Sequence, residues 1–284
     1  MKTVLSVQSR VAAGHVGNSA AVFCMERSGI DVWGVDTVSF SNHPGYGKVA
    51  GNIRSAEEVA ELIDGIDACF GLDGVDAVLS GYLGRAETGK AVSKAVGRLR
   101  LVNPDALFCC DPVMGDGGRI YVSRDIPDLM RDEIVPSADI ITPNRFELEL
   151  LTGRPVASVS DALAAARSLI GKNRLRTVVV TGLDGGKNGE TSVLSISADE
   201  AFCVSTPTLA FDAPLCGTGD TLAAVFLSRL LLSHDYAGSL AFSVSALFGI
   251  IRETKKRNAS SLCLIEAQNE LEHPSRMFPA EKIS

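Results

Sequence analysis

Cys216-Gly217-Thr218-Gly219-Asp220-Thr221 runs directly into Leu222-Ala-Ala-Val-Phe-Leu-Ser-Arg-Leu-Leu-Leu232, so a glycine-bracketed turn opens an almost wholly apolar helix with a carboxylate in its first turn. Glycines let backbone N–H groups turn toward one point, and a helix N-terminus adds partial positive charge there, which makes the turn a candidate anion hole. A fixed carboxylate repels a phosphate, so Asp220 has a place beside one only as the group that takes the proton of an attacking hydroxyl during phosphoryl transfer. The same residues also suit an ordinary helix start, where Asp complements the dipole.

Outward from this turn, strand-like and helix-like segments alternate. Short β-branched or apolar runs at Thr3–Val7, Val32–Phe40, Ala77–Ser80, Ala106–Cys110, Ile140–Thr142 and Thr177–Thr181 read as strands. Val16–Ser28, Ala56–Phe70, Thr88–Val102, Phe146–Leu151 and Asp161–Ile170 carry apolar residues at three- and four-residue spacing and read as helices. This βαβα order predicts an α/β fold with a mostly parallel sheet and helices on both faces. Ser192–Ser197 and Ala201–Ser205, joined through Ala198-Asp-Glu200, read as an antiparallel hairpin at a sheet edge, after which the Gly217 helix and a Tyr236–Arg257 helix follow. No linker, repeat or low-complexity tract interrupts residues 1–284, so one domain is expected.

Composition narrows the function. Hydrophobic residues make up 46% of the 284, ample for a core, and the formal net charge of −7 offers no long-range attraction to nucleic acid or anionic lipid. The basic run Arg252-Glu-Thr-Lys-Lys-Arg257 reads as a solvated helix C-terminus that suits the dipole. Cysteines at 24, 69, 109, 110, 203, 216 and 263 show no C-x-x-C spacing, which favours reduced thiols over zinc or a disulfide framework. Met1-Lys-Thr-Val-Leu-Ser-Val-Gln reads as an opening strand, with an apolar run too short for a signal peptide. Tyr236–Ile251 is broken by Gly and Ser and falls short of a membrane span, so a cytoplasmic protein without membrane or nucleic-acid partners is expected.

In an open parallel sheet, ligands bind beyond the carboxyl ends of the strands. The residues there are Ser9-Arg-Val-Ala-Ala-Gly14-His-Val-Gly17-Asn18, Ser41-Asn-His-Pro-Gly-Tyr-Gly47, Ser80-Gly-Tyr-Leu-Gly84, Asp111-Pro-Val-Met-Gly-Asp-Gly-Gly118, Pro143-Asn-Arg-Phe-Glu147 and Gly182-Leu-Asp-Gly-Gly186. Asp111, Asn144 and Glu147 suit magnesium, because hard cations take oxygen ligands directly or through water; Asn-x-x-Glu before a helix equally suits a capping box. Gly115-Asp-Gly-Gly118 reads as a closing flap or a plain surface loop. Gly84-Arg-Ala-Glu-Thr-Gly89-Lys90-Ala91 nearly spells a phosphate-binding P-loop, but Ala91 cannot ligate magnesium and Glu87 would place negative charge in the nest. No G-x-G-x-x-G follows the first strand, and His15 and His43 lack partners at metal-ligand spacing. Ser9 has no readable His/Asp pair to make it a nucleophile, so a hydrogen bond to a small ligand is its expected role.

Taken together, Ser9 with Gly14-His-Val-Gly-Asn18, Phe40-Ser-Asn-His43, Ser80-Gly-Tyr82, Cys110-Asp-Pro-Val113, Pro143-Asn144 with Glu147, and Gly217-Thr-Gly-Asp220 resemble the pyridoxal kinase family of the ribokinase-like superfamily, over nearly the whole chain. The resemblance implies a ribokinase-like three-layer α/β/α fold with a small antiparallel edge. It implies ATP-dependent phosphorylation of the primary alcohol of pyridoxal, with Asp220 as base and Gly217, Thr218 and Gly219 stabilising the phosphoryl charge. Ser9 would hydrogen-bond the pyridine ring, with Val16, His43, Pro44 and Tyr82 near it. Asp111, Thr142, Asn144, Glu147, Thr181, Thr206 and Thr208 would face the nucleotide, Asp111 and Glu147 also facing Mg2+. A homodimer and a helping monovalent cation such as K+ are implied as well. A hydroxymethylpyrimidine kinase of the same fold and a non-catalytic B6 or nucleotide sensor remain open alternatives. One departure stands out: where the family commonly has Ser-Asn-His-Thr, this chain has Ser41-Asn-His-Pro44, losing a hydroxyl and an N–H donor. The flap around Gly115–Arg119 also looks short.

Overall fold

Val4, Leu5 and Val7 lie in the middle of a sheet, and neighbouring residues there turn to opposite faces: Leu5 and Val7 join one apolar cluster and Val4 joins the other. The same division recurs along the inner strands. Val78, Phe108, Cys110, Ile141, Val178 and Val180 face the first cluster, whereas Ala77, Leu79, Cys109, Ile140 and Val179 face the second. A strand covered on both faces needs a continuous apolar run, which is what the sequence shows at these positions.

The computed structural model describes residues 1–171, 174–184 and 189–284. In chain order the strands are β1 (Thr3–Val11), β2 (Asp31–Phe40), β3 (Gly51–Ile53), β4 (Ala77–Ser80), β5 (Leu107–Cys110), β6 (Gly115–Asp116), β7 (Arg119–Ile120), β8 (Ile140–Ile141), β9 (Thr177–Asp184), β10 (Glu190–Ile196), β11 (Ala201–Pro207) and β12 (Glu281–Lys282). The helices are α1 (Asn18–Arg27), α2 (Ala56–Phe70), α3 (Ala86–Val102), α4 (Ile126–Leu129), α5 (Val135–Ser137), α6 (Arg145–Thr152), α7 (Val159–Leu169), α8 (Thr218–Ser233) and α9 (Tyr236–Lys256). Ten of the strands form one sheet in the order β12-β11-β10-β9-β8-β5-β4-β1-β2-β3. From β2 to β9 neighbours run parallel; β10, β11 and β12 add an antiparallel edge on one side and β3 a short one on the other. Helices α2, α3, α6 and α7 cover one face, and α1, α8 and α9 cover the other, giving the three-layer α/β/α arrangement.

Local chemistry sets the helix starts. Ser55 and Glu58 cap α2 reciprocally, Ser158 caps α7 through the Asp161 N–H, and Asp235 caps α9 through the Gly238 N–H. Helix α8 is buried on nearly every side, and its Phe226, fully enclosed, adds about 2 kcal/mol or more of apolar burial.

Several expectations shift. The opening strand extends through Val11 rather than ending at Val7, because Arg10 and Val11 continue the ladder with Ser39 and Phe40, so Ser9 lies in the strand and not in the turn after it. Likewise β9 continues to Asp184, placing Gly182–Asp184 in the strand; Gly185 and Gly186 lie outside the described residues. Residues 126–137 form a helical segment, α4 and α5 joined by a wider π turn at Met130–Ile134, which the two prolines Pro127 and Pro136 conceal in the sequence. Ile126, Leu129, Met130, Ile134 and Val135 all point into the core from it. The rejected P-loop is rejected by the structure too: Gly89 sits inside α3, where an added Cβ would press on Leu129, so it is a packing glycine.

Candidate active site

Gly217 precedes α8 with φ 91°, a left-handed conformation, and a Cβ there would overlap the carbonyl oxygen of His15. The anion turn therefore rests directly on the loop that follows β1. That loop has its own constrained glycine. At Gly17 (φ 52°) a Cβ would overlap both the carbonyl and the hydroxyl oxygen of Ser9, while the Gly17 N–H faces the Asp220 carboxylate. Ser9, Gly17 and Asp220 thus form one patch, brought together from the first strand, the first turn and the eighth helix.

Beneath it lies a buried polar network that sequence reading missed apart from Asn18. The Ser6 hydroxyl donates to Asn18 Oδ1 (2.8 Å), Gln8 Nε2 donates to Ser6 Oγ (2.9 Å), and Asn18 Nδ2 donates to Asp36 Oδ1 (2.8 Å) and the Val35 carbonyl (3.2 Å). Polar Ser6 and Gln8, interleaved with Leu5 and Val7 in the middle of a central strand, are the signal that could have exposed it. The network fixes the start of α1 and hence the Gly14–Gly17 turn.

Asp111, Glu147 and Asp220 converge from the loop after β5 and the first turns of α6 and α8. The Asp220 carboxyl is pushed above its usual range by burial, an effect opposed by the N–H groups of Gly17 and of Asp220 itself. Asp111 is pushed well above, first by burial and then by the negative charges of Glu147 and Asp220, with the Thr142 hydroxyl beside it acting in the opposite sense. Glu147 is raised to about 7 by burial, although the N–H groups of Met114, Asn144 and Gly115 all hold it down. Gly219 faces Asp111: a Cβ there would lie 3.8 Å from Asp111 Oδ2. None of the three carboxylates has a Lys or Arg partner among the described residues. Asp139, at the opposite rim and also buried, receives Arg100 Nη2 at 2.6 Å and Arg174 Nε at 3.0 Å.

These groups fit a hard divalent cation held partly through water. Asp111 and Glu147 are buried, and neither they nor Asp220 have a Lys or Arg counter-charge among the described residues. Glu147 already accepts from Asn144 N (2.9 Å) with one oxygen and from Met114 N (2.9 Å) with the other, which favours water-mediated contact. Among the described residues no group of three His, Cys, Asp or Glu is close enough to ligate one ion by itself, so an all-protein cage is not what is built here.

Asn144 and Glu147 form a capping box at α6 as well as facing the site: Glu147 N donates to Asn144 Oδ1 (2.9 Å), and Asn144 Nδ2 donates to the Gly115 carbonyl (2.8 Å). The pair thereby anchors the β6–β7 flap. Thr181 N donates to the Pro143 carbonyl (3.0 Å), and Thr206 and Thr208 stand at the same rim two strands away, Thr208 N donating to the Gly189 carbonyl (2.8 Å). Tyr82 is half-buried, its carbonyl accepting from Thr37 Oγ1, and Val16 is buried. Pro44 opens a short 3-10 turn, Pro44–Tyr46, that is capped by His43. Three further residues stand at the candidate site without having been given a role from sequence: Asp116 of the flap, whose charge acts on Glu147 and Tyr121, Tyr121 itself, and Cys216 beside His43.

The raised carboxyls predict a pH dependence. A carboxyl held at about 7 when folded and at its ordinary value near 4.5 when unfolded stabilises the protein below 4.5, and that contribution is lost as pH rises to 7. The unfolding midpoint is therefore expected to fall between pH 5 and pH 8 in wild type, with a shallower slope in Glu147→Gln. Mg2+ should raise the midpoint more at pH 8 than at pH 6, because the cation competes with those protons. Equal slopes in both proteins would remove Glu147 as the group responsible.

The family model described as Phosphomethylpyrimidine kinase matches residues 54–261. Pyridoxal kinase PdxY of Deinococcus radiodurans is 44% identical, over 99% of this chain and 97% of its own, and that of Rubrobacter xylanophilus is 45% identical over the same shares. The chain belongs to the pyridoxal kinase family. Among solved structures, a pyridoxal kinase from Leishmania donovani in complex with ADP and ginkgotoxin matches this family member with a TM-score of 0.93 at 28% identity, each chain covered completely. One from Trypanosoma brucei matches with a TM-score of 0.88 at 30% identity, covering 99% of each chain. No helix among the described residues is long and apolar enough to cross a membrane.

Proposed function

We propose that this protein transfers the γ-phosphoryl group of ATP to the hydroxymethyl oxygen of pyridoxal, giving pyridoxal 5'-phosphate and ADP. The observation that carries the reading is the position of Asp220, a carboxylate without a counter-cation among the described residues, set between Ser9 and Gly17 on one side and the Gly217–Gly219 turn on the other. Relatives named pyridoxal kinase across the full length and solved structures with ADP and with pyridoxamine or pyridoxine support the choice of substrates.

Asp220 would accept the proton of the substrate hydroxyl as its oxygen bonds to the γ-phosphorus and the bond to the β-bridging oxygen breaks. The N–H groups at the start of α8 would hold the transferring oxygens, and Ser9 would orient the pyridine ring. Asp111, through its carboxylate, and Glu147, through water, would hold Mg2+, which when bound supplies positive charge to the phosphate oxygens. Thr142, Asn144, Thr181, Thr206 and Thr208 would line the nucleotide side.

Formation of pyridoxal phosphate, followed by its absorbance with Mg-ATP and pyridoxal, pyridoxine or hydroxymethylpyrimidine offered in parallel, tests the reading. Turnover of the pyrimidine alone would replace it with the sister activity. Pro44 supplies a second, narrower expectation. Pro44→Thr restores a hydroxyl and an N–H on the substrate side, so the KM for pyridoxal should fall about five-fold, the equivalent of one neutral hydrogen bond, with the KM for ATP little changed. An unchanged pyridoxal KM would show that the loop makes no such contact.

A further inference from the structure

His43 Nδ1 accepts a hydrogen bond from the Gly45 N–H at 3.0 Å and lies 3.2 Å from Cys216 Sγ. A backbone amide can only donate, so Nδ1 must present its lone pair and the ring proton must sit on Nε2. With that lone pair fixed as acceptor, the Cys216 thiol is the donor of the second contact. Burial lowers the His43 pKa, which keeps the ring neutral and the arrangement intact at neutral pH. The two residues are 173 positions apart, one in the loop beyond β2 and the other immediately before the anion turn. A second stitch joins the same loop to the far side, the Tyr46 hydroxyl donating to the Ser260 carbonyl at 2.9 Å. Residues 44–50 are exposed; Asn42 Nδ2 donating to the Lys48 carbonyl and Ser41 N donating to the Ala50 carbonyl close the loop on itself, while the His43–Cys216 and Tyr46–Ser260 contacts tie it to distant parts of the chain.

We infer that Cys216 is a positioning residue: its thiol shares the Nδ1 lone pair that the Gly45 N–H already fixes as an acceptor, steadies the imidazole so that Nε2–H faces the acceptor substrate, and ties the substrate loop to the anion turn. The substrate part of this statement rests on the reading of the protein as a pyridoxal kinase; the tautomer part does not. Three consequences distinguish it from a cysteine that merely fills space. The acceptor side should weaken without the nucleotide side, a smaller hydroxyl donor should replace the thiol, and the imidazole itself should report the loss.

The test uses the full chain in three forms, wild type, Cys216→Ala and Cys216→Ser, with histidine nitrogens observed by NMR at pH 7.5 and initial rates measured with pyridoxal and ATP varied separately. In wild type His43 should show the Nε2–H tautomer. Its Nδ1 resonance should move downfield in Cys216→Ala, where one donor is lost, and return toward the wild-type position in Cys216→Ser. The KM for pyridoxal should rise about five-fold in the Ala variant, with the KM for ATP changing less than about two-fold, and the Ser variant should recover most of the difference. A wild-type His43 protonated on Nδ1, an Nδ1 resonance indifferent to both substitutions, or equal shifts in the two KM values would overturn the assignment. Absence of pyridoxal turnover in wild type would instead count against the proposed function, leaving the NMR result to decide the role of Cys216.

Discussion

Asp220→Asn is expected to lower kcat for pyridoxal phosphorylation by roughly 10²–10⁴-fold, the range associated with loss of a general base. Binding of ATP should be largely preserved, since the amide keeps the size of the carboxylate and leaves the N–H groups of the anion turn in place. The wild-type profile carries its own check. Because burial raises the Asp220 carboxyl above the ordinary range, the rate should decline on acidification at a higher pH than an exposed aspartate would give, as the base becomes protonated. An Asn variant that turns over like wild type would remove Asp220 from the reaction and leave the cluster as a cation site only.

Gly217→Ala carries the second large effect, and for a different reason. The residue adopts φ 91° and its missing Cβ is where the His15 carbonyl lies, so alanine is strained in backbone and cannot be accommodated without moving the turn away from the first loop. Stability to denaturant should fall by about 1–3 kcal/mol from strain of this kind. The rate should fall about 10²–10³-fold, as expected when N–H donors aimed at developing negative charge are displaced. Gly219→Ala separates the two effects: its Cβ would meet only Asp111 Oδ2, at 3.8 Å, so stability should hold while phosphate access suffers. If Gly217→Ala proved as stable and as active as wild type, the turn would not be resting on His15 in the way the geometry indicates.

The inner strands could be read from their short continuous apolar runs, and the helices from their three- and four-residue apolar spacing. Elements that the reading missed are those whose pairing or packing overrides local signals. Residues 126–137 contain two prolines and yet bury Ile126, Leu129, Met130, Ile134 and Val135, tertiary packing outweighing the apparent breaks. Strand β3 is three residues long, begins at a glycine and exists because Phe40, Ser39 and Val38 offer it an edge. Ser9 reads as the start of the turn after the first strand, whereas Arg10 and Val11 resume the ladder beyond an irregularity at Ser9 and keep it within the strand.

The site divides in the same way. Local sequence determined that a glycine turn opens a buried helix, that an acid follows it, and that polar loops end the parallel strands, because turn glycines, capping residues and hydrophobic period act over a few residues. Asn144-x-x-Glu147 could be read locally as a cap or as a ligand pair; the structure shows the cap to be made, and it turns the same two residues toward Gly115 and the acidic cluster. Only the tertiary structure distinguished Asp139, neutralised by arginines, from Asp111, Glu147 and Asp220, which have no such partner among the described residues. Likewise only the fold set Cys216 against His43 and Gly217 against His15. Charge state, tautomer and steric fit depend on what lies within a few ångströms through space, and those neighbours come from parts of the chain that no local pattern connects.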